Sequence, residues 1–355
     1  MQKIKCELLI ERVSYGGAGI GKLGGKVVFV PFTIPGERVL VEIVRQKKNF
    51  AEAALLSVLE PSPDRRKALC PVFGVCGGCA YQHVDYATQL EWKADQVRDL
   101  LERVGRIAAP SVAAALASPK EWAFRNRIRV HSGDGLTGFY SKHGHKIVDV
   151  ESCAIASAEV NEELLRLRAT RPAPGETSLA VKREVRYFEQ TNDGAAEVLV
   201  RLVENSAGEG RGTLVDAYCG AGFFGHRLAA RFERVVGIES HEGAVAKARR
   251  QGLENEQYIC GDVAAHLGDI LETADRARTL VLLDPPAAGV EARVTDLLIA
   301  LPVQQVVYVS CDPATLARDL GALVRGGYVL GKVTPVDMFP QTADIEVVAE
   351  LTYRV

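Results

Sequence analysis

The sequence lacks any long apolar run: nothing in its 355 residues approaches the ~18 consecutive apolar side chains of a membrane span, so no membrane partner is expected. It also lacks a charged-then-apolar leader, because Met1 to Cys6 runs directly into a strand-like segment; a cytoplasmic location is therefore expected. Charge of one sign is not in excess. With 43 Lys and Arg against 45 Asp and Glu, the net charge of -2 excludes a grossly basic nucleic-acid coat while leaving room for a local basic face. Internal repeats and low-complexity tracts are absent, and the length suits two to three ordinary domains. Cysteine is not scarce. Eight cysteines without a secretion signal point to thiols or metal ligands rather than disulfides.

Three segments are expected. Residues 1–60 carry short alternating strands broken by glycine turns (Gly16, Gly17 and Gly19 among them), the spacing of a small closed β-barrel. Pro61 to Asp64 reads as a linker into a cysteine-rich middle, residues 61–185, with a long amphipathic helix from about Tyr86 to Val104. Residues 186–355 turn, from about Gly212, to strand–helix alternation and hence a mostly parallel α/β sheet.

In the last segment four strands end in chemistry. Thr213 to Tyr218 is a buried strand followed by Gly220, Gly222 and Gly225, a G-x-G-x-x-G turn whose glycines let backbone approach a ligand closely. Asp216 beside it suits a cationic methionine moiety better than a pyrophosphate. Arg234 to Ile238 ends in Glu239, a candidate for ribose hydroxyls. Val281 to Leu283 closes on Asp284, Pro285 and Pro286, a rigid wall carrying a carboxylate. Val306 to Ser310 stops at Cys311, Asp312 and Pro313, which places a thiol on a strand-to-helix turn where a helix N-terminus would favour the thiolate. A final strand, Ile345 to Tyr353, carries Glu346, a base partner for covalent chemistry at that thiol.

Cys70, Cys76 and Cys79 stand as C-x5-C-x2-C with Gly77 and Gly78 between the last two, crowded enough to converge on one metal. Cys153 is the remaining cysteine of the middle segment outside a regular element. Four such ligands hold zinc or an iron–sulfur cluster, and spacing does not choose between them.

Taken together, the four cysteines, Asp216 to Gly220, Asp284 to Pro286, Ser310 to Asp319 and Phe339 to Thr342 resemble the RNA uracil-C5 methyltransferases over essentially the whole chain. That resemblance implies a Rossmann-like methyltransferase domain using S-adenosylmethionine, an N-terminal TRAM barrel (OB-like) and a central α+β iron–sulfur domain in which Cys70, Cys76, Cys79 and Cys153 hold a [4Fe-4S] cluster. It assigns Cys311 as the nucleophile that adds to uracil C6 and Glu346 as the base that later removes the C5 proton. Gln190, within Phe188 to Asn192, Tyr218, Gly220, Gly222, Phe223, Glu239, Asp262 and Asp284 would line the cofactor and base pocket. The implied partner of this monomer is RNA, with 23S ribosomal RNA first and position 54 of tRNA as the alternative.

RNA contact is expected from Arg45, Lys47 and Lys48 beside Phe50, and from Arg125, Arg127 and Arg129 sharing one face of a strand. At three places the chain departs from the family pattern: Ala287-Ala288 stands where an arginine is usual, Asp344 where histidine is usual, and Glu189 replaces an apolar or small residue. Two other classes compete. A nicotinamide-dependent oxidoreductase rests on the glycine turn alone, and an RNA-binding iron–sulfur protein with a decayed site rests on Ala287 and Asp344.

Overall fold

A computed structural model describes residues 4–142, 144–181, 190–210 and 212–353. Two compact units form. The first gathers the chain up to Gln96, a stretch from Pro119, and the short segment Phe339–Asp344; the second gathers Val97–Ser118, the chain up to Met338, and the segment from Ile345.

The first unit begins with β1 (Lys5–Leu9), β2 (Arg12–Val13), β3 (Ala18–Leu23), β4 (Lys26–Pro31), β5 (Arg38–Gln46) and β6 (Phe50–Glu60), in the order β1-β5-β6-β4-β3-β2. The two ends of that order are consecutive in the chain, so the sheet curls until β3 meets β1: a Cβ at Gly21 would lie 2.9 Å from the Leu9 carbonyl. Every second residue enters the core, with Val28 and Val30, Val39 and Val41, and Ala51 and Ala53 all buried. Glu37 is fully buried and takes hydrogen bonds from the Arg65 guanidinium and the Ile34 and Ser62 amides. The Pro61–Asp64 stretch read as a linker is thus anchored to the barrel.

Between β6 and α1 (Tyr86–Arg103) the described chain forms no long element; it is a run of turns carrying the three clustered cysteines. Next come β7 (Arg127–Gly133), β8 (Leu136–Tyr140), β9 (Ile147–Asp149), α2 (Ala158–Ala169) and β10 (Gly175–Ala180), an antiparallel sheet in the order β10-β7-β8-β9. Its apolar face meets α2 through Ile128, Val130, Val160 and Leu164. Arg125 lies outside β7, held by an isolated bridge to Ala156 with its guanidinium 5.6 Å from the Phe339 ring centre, so the expected face of three arginines is reduced to two. Of those, Arg129 already faces Glu176 at 3.3 Å.

The second unit contains α3 (Asp193–Ala207), β11 (Thr213–Ala217), α4 (Gly225–Leu228), β12 (Arg234–Glu239), α5 (Glu242–Gln251), β13 (Glu256–Cys260), α6 (Val263–Thr273), β14 (Thr279–Leu283), α7 (Ala292–Ala300), β15 (Gln305–Ser310), α8 (Pro313–Arg325), β16 (Val329–Val336) and β17 (Glu346–Thr352). The sheet order is β13-β12-β11-β14-β15-β17-β16, parallel from β13 to β15 and antiparallel at β17 and β16. Order reverses between β11 and β14, the switch point at which open α/β sheets bind ligands. Residues assigned by sequence to the middle segment contribute here too: Ala113 and Leu116 donate amides to the carbonyls of Val333 and Pro335, both at 2.8 Å.

Candidate active site

The rim is built by register. In β11, β14 and β15 the parallel pairing sets Ala217 opposite Leu283 and Leu283 opposite Tyr308, so Tyr218, Asp284 and the end of β15 emerge on the same edge. The antiparallel pairing of β15 with β17 sets Ser310 opposite Val347; one step further places Cys311 across from Glu346. Glu346 is buried whereas Cys311 is exposed. Strand geometry therefore brings together the thiol and two carboxyl groups that lie far apart in sequence.

These groups hold their protons tightly. Burial, then Asp284, pushes Glu346 well above the usual carboxylate range; burial pushes Asp284 up to about 7. Cys311 is exposed as a residue but its sulfur is partly shielded from water at the rim; that shielding, then Glu346 and Asp284, pushes the thiol up to about 11. The sequence reading expected a helix N-terminus to favour the thiolate. The structure reverses this: Asp312 is the N-cap of α8 and takes the Ala314 amide at 2.9 Å and the Thr315 amide at 2.8 Å, while Pro313 has no amide to offer. The helix terminus is spent on Asp312, and the thiol receives acids as neighbours.

The glycine turn sits beside this rim. Tyr218, Gly220 and Gly222 have φ of 65°, 54° and 83°, and Tyr218 is a non-glycine residue held in the left-handed region at a strand end. A side chain at Gly222 would run into the His226 ring. Gly225 donates its amide to Asp216 at 2.9 Å, and a Cβ there would lie 3.0 Å from the same carboxylate, which explains why the third glycine is needed. Asp216 is fully buried beneath the turn, with its other oxygen unpartnered, rather than lying open in the cleft. Burial, then Asp284, Glu239 and Glu256, raises it to about 8.

Glu239, at the end of β12, accepts from Gly220 at 3.1 Å and from His241 at 2.7 Å, tying the second strand to the glycine turn. Asp262 caps α6, accepting from Ala265 at 3.1 Å. Phe223 is 37 % exposed at the turn, edge-on to Phe224 at 4.9 Å. Gln190 is half-buried just before α3, while Phe188 and Glu189 lie outside the described residues. Asn192 proves architectural: it caps α3 and donates to Ser118 and to the Met338 carbonyl, each at 3.0 Å. The edge gathers Glu239, Asp284 and Glu346, with Asp216 buried beneath it, and a cationic ligand there would offset the burial that holds protons on Asp216, Asp284 and Glu346.

In the first unit, the thiols of Cys70, Cys76, Cys79 and Cys153 lie within electrostatic reach of one another. Burial first, and then the other cysteines, pushes Cys79 up to about 12; Cys76 and Cys153 are raised for the same reasons. The Gly78 amide lies 3.5 Å from the Cys76 sulfur. Among the described residues, no three His, Cys, Asp or Glu side chains stand close enough together to hold a single metal ion.

Two features escaped the sequence reading. Helix α1 buries Gln89, Lys93 and Gln96, a polar stripe at helical spacing. Within the first unit it holds the Phe339–Asp344 segment: Lys93 donates to the carbonyls of Phe339 (3.1 Å) and Asp344 (2.9 Å), and Gln89 exchanges hydrogen bonds with Gln341. Three polar residues on the buried side of an amphipathic helix were the available signal. The second feature straps the turn after Asp284 to α8. Thr315 donates to the Ala287 carbonyl at 3.0 Å, Arg318 to the Ala288 carbonyl at 3.0 Å, and Asp319 accepts from Val290 at 3.1 Å and Tyr308 at 2.8 Å.

A family profile described as TRAM domain matches residues 5–56, and one described as tRNA (Uracil-5-)-methyltransferase matches residues 266–353. An uncharacterised RNA methyltransferase of Halalkalibacterium halodurans is 31 % identical over 98 % of this chain and 97 % of its own length. One from Bdellovibrio bacteriovorus is 32 % identical over 98 % and 95 %. Among solved structures, the Pyrococcus abyssi tRNA (uracil-54, C5)-methyltransferase in complex with S-adenosyl-L-homocysteine aligns with a TM-score of 0.74 at 26 % identity, covering 98 % of this chain and all of that one.

Proposed function

The chain belongs to the RNA (uracil-5-)-methyltransferase family, and from that premise we propose that it methylates C5 of a uridine in structured RNA through a covalent adduct on Cys311. The observation that supports this most is the register that sets Cys311 against Glu346, with Asp284 emerging beside them at the switch point. S-adenosylmethionine, when bound, supplies an electrophilic methyl group. Tyr218, Gly220, Gly222, Phe223, Glu239, Asp262 and Gln190 would hold it, and the acid-rich edge suits its positive charge.

The remaining work falls to this chain. Uracil C5 is a poor nucleophile, so Cys311 first loses its thiol proton to solvent at the exposed rim, and the thiolate sulfur then bonds to C6 while the displaced π electrons move toward C5 and O4. Once C5 carries its methyl group, the Glu346 carboxylate removes the C5 proton. The C5–C6 double bond then reforms and the C–S bond breaks, returning the thiolate. The high proton affinity of Glu346 makes it a strong base once ionised, and Asp284, at the junction of the two ligands, would contact the uracil. A base inside a duplex cannot reach this edge, so the target is unstacked first.

Cys70, Cys76, Cys79 and Cys153 would hold a [4Fe-4S] cluster in this reading. Their thiols lie within electrostatic reach of one another, as the ligands of one shared centre would. The barrel would contribute Arg45, Lys47 and Lys48 to RNA binding.

The substrate we favour is 23S ribosomal RNA; the full-length likeness to a tRNA (uracil-54, C5)-methyltransferase favours tRNA as a second reading. Labelled S-adenosylmethionine with unmodified transcripts of each RNA tests both, and mapping the label to uridine C5 tests the reaction. RNA carrying 5-fluorouridine should remain attached to Cys311, because fluorine does not leave as a cation. Absence of transfer to either RNA, or a Cys311→Ala variant that still methylates, would refute the mechanism.

A further inference from the structure

Within the first unit lies a cavity of about 450 Å3 that none of the preceding chemistry uses. That volume falls in the range of small-ligand sites. Its wall is unusual for a soluble surface: Leu69 is 68 % exposed, and Trp122 and Tyr86 are half-buried, so three large side chains border an open space. Its rim carries Arg66 and Lys67 side by side, both exposed. Arg66 reaches only the carbonyls of Pro63 (3.0 Å) and Arg65 (3.3 Å), with Asp85 at 3.9 Å.

The floor is rigid. Gln89 donates to the Gln341 side chain at 3.0 Å and to the Val84 carbonyl at 3.1 Å, and Gln341 returns its amide to Gln89 at 3.1 Å. The one lining carboxylate beside Arg66, Asp85, is committed to capping α1 through Thr88, at 2.9 and 3.0 Å. A largely polar pocket bordered by the Leu69, Tyr86 and Trp122 side chains, with Arg66 and Lys67 in its lining and hydrogen-bonded glutamines among its walls, has the chemistry to receive one unpaired nucleotide. A base stacked on the Trp122 ring would leave its phosphate to Arg66 and Lys67. Glu121, exposed on the same wall, offers an acceptor to an exocyclic amino group.

We propose that this cavity is a second nucleotide site, holding an extruded, unpaired residue of the substrate RNA separate from the uridine to be methylated. It rests on the reading of the chain as an RNA methyltransferase, and it explains how RNA could be registered by a nucleotide that undergoes no chemistry. A protein ligand fits less well, because paired cations over an aromatic wall match a nucleoside phosphate.

The test uses the full chain. RNA affinity is measured by fluorescence anisotropy for wild type, Trp122→Ala, Trp122→Phe and the exposed pair Arg66→Glu/Lys67→Glu, with kcat at saturating RNA determined alongside. Trp122→Ala should weaken RNA binding roughly tenfold, Trp122→Phe by no more than about threefold, and kcat at saturation should stay within about twofold. The charge reversal should weaken binding and flatten its salt dependence. Irradiated RNA bearing 4-thiouridine at single unpaired positions should crosslink at one of them to the peptide containing Trp122. Should Trp122→Ala fold poorly, the surface charge reversal and the crosslink still decide. Wild-type RNA binding with unaffected variants and crosslinks elsewhere would overturn the site alone, whereas wild-type protein that binds no RNA would overturn the underlying reading as well.

Discussion

At the scale of single residues, the acid-rich edge has consequences in the free protein. Cys311 sits at about 11 against an ordinary 9.0, so at any pH below 9 its thiolate fraction is about a hundredfold smaller than that of an unperturbed cysteine. Alkylation of Cys311 by iodoacetamide, followed by peptide mass spectrometry, should therefore be slow at pH 8 and accelerate up to about pH 11. Because Glu346 is the largest cause after burial, Glu346→Gln should speed that alkylation at fixed pH while blocking release of RNA, so covalent complex accumulates on ordinary uridine RNA. Unchanged reactivity together with normal turnover would remove Glu346 from its proposed role. Asp216 gives a stability test. Its folded pKa of about 8 exceeds the unfolded value near 3.8, so the native state binds the extra proton between those limits, and stability falls as pH rises through that window. Asp216→Asn keeps an acceptor for the Gly225 amide and removes the titration. The variant should gain little near pH 4 and several kcal/mol, as an upper bound, near pH 8.5, as read from urea midpoints at the two pH values.

At the scale of elements, α8 fixes the distance between two strand ends. It begins at Asp312, whose carboxylate takes two amides, and it straps the Ala287–Val290 turn through Thr315, Arg318 and Asp319. Losing the cap in Asp312→Ala should cost about 1 kcal/mol of stability. Asp319→Ala leaves the buried Tyr308 hydroxyl without its acceptor and the Val290 amide with only the longer contact to Tyr308 at 3.3 Å, and should cost roughly 3 kcal/mol. Equal losses in the two variants would contradict the strap. The strands behind this arrangement were legible because buried parallel strands are continuous apolar runs, as in Leu280 to Leu283 and Val306 to Val309, and because each ends abruptly at a glycine, a proline or an acid. The helix after the glycine turn was less so: α4 covers only Gly225–Leu228 and continues as a short 3-10 turn, which no periodicity announces. The start of β7 was also misjudged, since the alternation from Phe124 to Arg129 is broken at Arg125 by its pairing with Ala156. Neither the direction of the Cys311 shift nor the burial of Asp216 could be read, since both depend on which distant side chains share the edge.

At the scale of the whole molecule, the work is divided between two units with different sources of stability. The residues proposed for S-adenosylmethionine lie in the second unit, on a seven-stranded sheet whose central strands are almost wholly apolar and buried. The four cysteines lie in the first unit, three of them in the run of turns between Glu60 and Tyr86, where no long element supports the backbone. In the proposed reading such a loop depends on the centre that binds its thiols, because Cys76, Cys79 and Cys153, partly buried and raised in proton affinity in part by neighbouring sulfurs, gain from a shared cationic centre. Anaerobically purified protein should carry about four irons per chain, and stoichiometric zinc would sink the cluster assignment. Removing the iron with chelator should lower the first melting transition by roughly 10 °C or more, on a scale where 1 kcal/mol moves a domain of this size by ~2–4 °C. Iron removal should also weaken RNA binding. The affinity for S-adenosylmethionine, measured by calorimetry on the same sample, should stay within about twofold, because none of its proposed contacts belongs to the first unit. A parallel loss of cofactor affinity would mean that the two units do not fold independently; an unchanged melting profile would mean that the cysteines do not support the loop through a metal.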